Sequence, residues 1–282
     1  MRLRDLVIFA ALILTFPACT ERIEIDPGEG FTRLVVEGSI STDKKIHSVI
    51  LSTTAGYFSN LPIPHVTGAS VSLSDGSTVY KLTESSPGIY QTSPGIAGIP
   101  GHIYTLRIKL SSPIGGYSEY SVTSKIFPPV VLDSIQLKFN PTWSEKGIWE
   151  VKGFFLDSPG SDYYRFLMFK NGKAVTDTLN DWYVTDDQFF NGKYVLGTTL
   201  ARLQQDKPDE SLKSGDTVTA EVHVIEKEFA DFVRNARSNL SGSYPLFSGP
   251  LANVKGNISN GAIGFFAAYS VSRARIVVPV AY

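Results

Sequence analysis

The stretch YTLRIKL, residues 104–110, alternates without a break: Tyr104, Leu106, Ile108 and Leu110 are apolar, and Thr105, Arg107 and Lys109 are polar. Only an extended chain places every second side chain on one face. The stretch therefore demands a sheet with one dry and one wet side. In LVVEGSI, Leu34, Val36, Gly38 and Ile40 share one face, and Val35, Glu37 and Ser39 the other. HSVILST, ASVSLSDGSTVYKL with an Asp75-Gly76 hairpin turn, GIYQTSP and SEYSVTSKI continue the series. About seven short strands between residues 31 and 127 predict an immunoglobulin- or transthyretin-like β-sandwich.

Phe127-Pro128-Pro129 interrupts the pattern, because each proline fixes φ and restrains its predecessor. A second β-rich domain is expected over 131–282. Its strands are IQLKF, GIWEVKGFFLD, YYRFLMFKNG with an Asn171-Gly172 turn, WYVTDD, KYVLGTTL, TVTAEVHVI and one or two from GFFAAYSVSRARIVVP. One helix is predicted, at about 226–240. Phe229, Phe232, Val233, Ala236 and Leu240 form an apolar stripe at helical spacing, with Glu226 and Glu228 early and Arg234 and Arg237 late, as the macrodipole favours. Core packing on the sheet is the expected role of that stripe. The fold class is mainly β: two sandwich- or barrel-like domains, the second carrying one amphipathic helix.

The lone cysteine, Cys19, follows Arg2, Arg4, the uncharged run Leu6 to Phe16 and Pro17-Ala18. The run is too short for a membrane span, which needs roughly 20 residues, and it suits a signal-peptide core. Residues 1–18 read as a lipoprotein signal peptide, Cys19 as the lipid attachment site and 19–30 as an acylated tether. Phe16 and Pro17 depart from the usual residues of such a site. Two or more acyl chains anchor stably where one is marginal, and lipidation removes an otherwise free thiol. No disulfide is then available.

Few residues nominate chemistry. The net charge of −1 leaves no electrostatic footprint for nucleic acid. His47, His65, His102 and His223 are scattered and are read as surface or half-buried side chains. No nucleophile elbow, zinc-protease, phosphate-loop or dinucleotide motif occurs, so no catalytic, cofactor-binding or metal residue is assigned. Asp157 and Asp162 in DSPGSD, and Asp186-Asp187, are close carboxylates of the kind that bind Ca²⁺ through hard oxygens. Neither pair follows the EF-hand pattern, and turns use the same residues, so both are read as turn residues. Aromatics concentrate from Trp143 to Phe190 and are assigned mainly to the core. DDQFFNG is the exception. Two adjacent rings in an extended segment cannot both point inward, so Asp186, Asp187, Phe189, Phe190 and Asn191 form a candidate ligand or partner loop.

LVVEGSIST, VTGASVSLSDGS, PGIYQT with GIPGHIYTLRI, PPVVLDSIQ, YYRF, DDQFFNGK, SGDTVTAEVHVIEKEFADFV and NVKGNISNGAIGFFAAYS occur in that order. Together they resemble a family of Bacteroidota outer-membrane lipoproteins, domain of unknown function 4249. That resemblance implies an outer-membrane, lipid-anchored location at the cell surface and the company of a TonB-dependent receptor barrel. It brings no catalytic residues. Thr20-Glu21-Arg22-Ile23-Glu24 is similar to surface-export signals of the phylum. Asp133-Ser134-Ile135, Asp177-Thr178-Leu179 and Asp216-Thr217-Val218 resemble its O-glycosylation motif. The expected function is a non-enzymatic accessory to such a receptor in ligand capture or uptake. A surface adhesion or carbohydrate-binding module is the alternative, and a hydrolase with an unrecognised site is the third reading.

Overall fold

A computed structural model of the chain describes residues 32–55, 61–176, 178–240 and 254–279. The signal peptide, Cys19 and the tether lie outside these residues, as does Asp177. The described chain is mainly β with one helix, and two sheets form a sandwich-like arrangement and no closed barrel.

The first half supplies seven strands: β1 (Leu34–Ser41), β2 (Ser48–Thr53), β3 (Ser70–Ser74), β4 (Val79–Ser86), β5 (Ile89–Gln91), β6 (Ile103–Ile114) and β7 (Tyr117–Lys125). Period two decides their burial. On β6, Tyr104, Leu106, Ile108 and Leu110 are all 6 % exposed or less. Gly38 on β1 allows close approach, since a Cβ there would lie 2.9 Å from Val49 Cγ2. The Asp75-Gly76 turn joins β3 to β4; the Asp75 carboxylate accepts the amides of Ser77 and Thr78 at 2.9 and 2.7 Å.

The second half supplies β8 (Leu132–Asn140), β9 (Ile148–Leu156), β10 (Tyr163–Lys170), β11 (Lys173–Ala174), β12 (Tyr183–Asp186), β13 (Tyr194–Gln204), β14 (Thr217–Ile225), α1 (Lys227–Leu240) and β15 (Ile263–Val277). The small sheet runs β13-β9-β8. The large one runs β11-β10-β14-β15-β1-β2-β5-β4-β3-β6-β7, with β12 also on β10. Every pairing is antiparallel except β1 with β15.

β15 divides its length between two partners. Ile263 to Tyr269 pair with β1, and Ser270 to Val277 pair with β14. The interior divides similarly. One core draws on residues from Leu34 to Ile126 together with Ile258, Ala262, Phe266 and Ala268. The next begins at Val130, beyond Phe127-Pro128-Pro129, and is built from β8, β9, β10, β13 and β14. In a third cluster Phe229, Ala230 and Val233 of α1 cover Phe265, Ala267 and Tyr269 of β15. Full burial of a Phe or Val side chain contributes roughly 1.5–3 kcal/mol, so these residues dock the first half of the helix firmly. Leu240, which the helical stripe includes, is 60 % exposed. Glu226, just before α1, ties the helix start to β7: its carboxylate accepts the Ser124 hydroxyl and the Lys125 amide.

Candidate functional site

The two acidic stretches converge because of strand register. β10 and β12 pair with Tyr163 opposite Asp186. One step outward the chain places Asp162 opposite Asp187, and the Asp187 amide donates to the Asp162 carbonyl at 3.2 Å. Asp157 arrives from a different pair. Leu156 at the end of β9 faces Tyr194 at the start of β13, and the Asp157 amide donates to the Lys193 carbonyl at 3.1 Å. The loops 157–162 and 187–193 thus meet. Asp157, Asp162 and Asp187 each bring a carboxylate oxygen to within 4.8 Å of the others.

Asp157 and Asp187 are buried at 2 % and 4 % exposure. Asp157 accepts from the Tyr164 hydroxyl and, at 2.8 Å, from the Gly192 amide. Asp187 Oδ2 is buried with no hydrogen-bond partner among the described residues. None of the three takes part in an ion pair among those residues. Like charges at this spacing repel by on the order of 3 kcal/mol per pair at an effective dielectric near 20. Burial, and then the charges of Asp157 and Asp187, hold the Asp162 carboxyl above the usual range. Burial, followed by the hydrogen bond to Asp157, raises Tyr164, which stays a neutral donor.

The candidate loop separates its two rings. Phe189 is 87 % exposed. Phe190 is half-buried, stacked on Tyr164 at 6.1 Å and edge-on to Phe155 at 5.9 Å. Asn191 closes the approach: its side-chain amide donates to the Gly160 carbonyl and its Oδ1 accepts the Gly160 amide. Asp186 points elsewhere, 3.4 Å from Arg234 Nη2 of α1. Among the other aromatics, Phe155 and Tyr164 are fully buried, whereas Trp143 and Tyr183 are about half exposed.

A second polar cluster overturns part of the histidine reading. His223 and His47 are buried, at 2 % and 4 % exposure. His223 Nδ1 accepts from Arg165 Nη2 at 2.8 Å, and Nε2 lies 2.8 Å from Glu221 Oε2. Arg165, itself buried, stands over Trp182, Tyr269 and Phe229, 4.5 to 5.2 Å from the ring centres. Glu221 also meets Arg273, which is forked onto Asp43. The sheet face carrying Glu221 and His223 reads as wet in the sequence. It is dry there because Arg165 of β10 hydrogen-bonds His223 and Tyr269 of β15 stacks on it, contacts from sequence-distant strands that local pattern does not encode.

A cleft of about 290 Å³ between β10, β12 and β13 is lined by Asp181, Arg202, Lys207 and Glu210 among others. Glu210 there accepts from Lys207 and from the Gln204 amide, each at 2.8 Å, so its charge holds the 204–210 turn.

No curated protein matches this chain. The profile of one protein family, described as Domain of unknown function (DUF4249), matches residues 20–275. That span takes in both sheets, the helix and both loops of the site, and the chain belongs to the DUF4249 family.

Proposed function

We propose that this chain is a non-enzymatic outer-membrane lipoprotein, anchored at the cell surface through Cys19, that assists a TonB-dependent receptor in ligand capture or uptake. The observation that supports a contact role is an exposed apolar group at the end of the small sheet. Leu156 is 59 %, Leu196 82 % and Phe189 87 % exposed. Register puts Leu156 opposite Tyr194 and Leu196 opposite Phe154, so the strand residues share one outer face. Leu156 leads directly into loop 157–162, and Tyr194 directly out of loop 187–193. Exposed apolar side chains grouped among polar ones mark a contact surface more often than scattered ones do. Phe190, half-buried against Phe155 and Tyr164, restrains the backbone next to Phe189, which lowers the entropy lost on binding.

The experiment is affinity purification of the membrane-anchored protein from its own cells. An outer-membrane barrel should co-purify with the wild type and be lost from the Phe189→Ala, Leu196→Ser double variant. Recovery of no barrel, or equal recovery with both, overturns the reading. Stability provides the control. Phe189→Ala should stay within about 0.5 kcal/mol of wild type, and Phe190→Ala should cost roughly 2–3 kcal/mol in urea unfolding. The exposed ring also suits stacking on a sugar face. Glycan-array binding that disappears in Phe189→Ala would favour the carbohydrate-binding reading.

A further inference from the structure

We infer that loops 157–162 and 187–193 form a Ca²⁺ site, with Asp157, Asp162 and Asp187 as its carboxylate ligands. Three oxygens within 4.8 Å of one another fit around one such ion, whose oxygen ligands lie at about 2.3–2.6 Å and so up to twice that distance apart. The donors are all hard oxygens. Among the described residues no histidine or cysteine joins the cluster, which disfavours zinc and other borderline metals.

The independent sign of a ligand is Asp187. The residue is 4 % exposed, its Oδ2 has no partner among the described residues, and its carboxylate lies near two others with no basic side chain paired to any of them there. A turn carboxylate does not look like this, and the same protein contains the comparison. Asp75 is partly exposed and accepts two amides of its own turn. Burying an ionised carboxylate without a partner is costly unless the charge is compensated. A bound divalent cation compensates it and reverses the mutual repulsion of the cluster. Register supplies the reason for the convergence, since Asp162 and Asp187 extend the β10–β12 pairing and Asp157 extends β9. The ion would clip together the loops that carry Phe189 and adjoin Leu156. The site nevertheless stands apart from the receptor reading, because Ca²⁺ can bind the isolated protein whether or not a barrel co-purifies.

The test uses the full chain, purified, stripped with a chelator and titrated with CaCl₂ by calorimetry, with the thermal midpoint followed in parallel. The expected result is saturable one-site binding and a midpoint rise of about 5 °C at a hundredfold excess over Kd. Asp187→Asn, which keeps the shape and removes the charge, should lose both responses. In chelator it should melt no lower than the wild type, because no unpaired buried charge remains. Asp162→Asn, at a half-buried position, serves as the second variant and should weaken binding at least tenfold. Absence of saturable binding up to millimolar Ca²⁺, the weak end for extracellular modules, overturns the proposal. So does an equal midpoint shift in wild type and both variants, and an equal response to Mg²⁺ overturns the assignment to Ca²⁺.

Discussion

Arginine has only donors, and this fixes the state of His223. Its Nδ1 faces Arg165 and must present a lone pair, so the proton resides on Nε2 and is donated to Glu221. A neutral imidazole bridges a buried cation and a carboxylate, stacked on Tyr269 at 4.6 Å. Burial, reinforced by the Arg165 charge and opposed by Glu221, pushes the His223 pKa from 6.5 down to about 4. Above pH 6.5 neither folded nor unfolded chain carries this proton. Between 6.5 and about 4 the unfolded chain takes it up and the folded chain refuses it. Stability is therefore full above that window and falls through it, by on the order of 3 kcal/mol from this residue. His47, also held down by burial, adds to the same slope. Urea midpoints across the window should show the loss, and His223→Gln should flatten it; an unchanged slope in the variant would exclude this residue as the source. Residue types and local spacing are enough to single out the Asp157, Asp162 and Asp187 stretches and the Phe189-Phe190 pair. Their convergence, and the burial of His223 between Arg165 and Tyr269, depend on which strands pair.

At the level of elements, alternation is a reliable guide wherever one face of a strand is wet, and β6 follows it residue by residue. It is less informative for β15, where six consecutive residues from Phe265 to Ser270 are buried. A sheet strand covered on both faces loses its period-two signature, which is why GFFAAYSVSRARIVVP reads as one strand or two. The structure makes it one, with two partners. The crossing over β1 depends on Gly264. Its φ is +98°, and a Cβ there would lie 2.0 Å from the Val36 carbonyl oxygen, in the parallel pair that joins the halves. Gly264→Ala combines a forbidden backbone with a clash against main chain and should cost more than about 3 kcal/mol. Gly76 offers the comparison: φ is +92°, but nothing lies within 4 Å. Gly76→Ala bears the conformational cost alone, roughly 1 kcal/mol. Chemical unfolding of the two variants should rank them in that order, and equal losses would show that the contact with Val36 does not constrain the chain.

On the scale of the whole molecule, Phe127-Pro128-Pro129 and β15 act in opposite senses. The prolines separate the first core, which reaches Ile126, from the second, which starts at Val130. β15 then returns from the far end of the chain, pairs with β1 and places Phe266 and Ala268 in the first core. Ser124 Oγ accepts the Ala268 amide at 2.8 Å, and the Ser121 amide donates to Ser259 Oγ at 2.8 Å, so β7 is tied to the same returning segment. A fragment of residues 31–127 contains all seven of its own strands yet lacks Ile258, Ala262, Phe266 and Ala268 and exposes the edge of β1. Each large apolar side chain lost removes roughly 2–3 kcal/mol, and a typical domain has only about 5–15 kcal/mol to lose. The fragment should fail to fold alone, giving a poorly dispersed amide NMR spectrum. Added peptide 254–279 should restore dispersion, because it supplies both the missing core and the parallel partner of β1. The intact chain should unfold in one transition by two probes, tryptophan fluorescence for the second half, where Trp143, Trp149 and Trp182 all lie, and amide exchange for β6. A well-dispersed spectrum from 31–127 alone would mean that the first sandwich is self-sufficient and that β15 only decorates it.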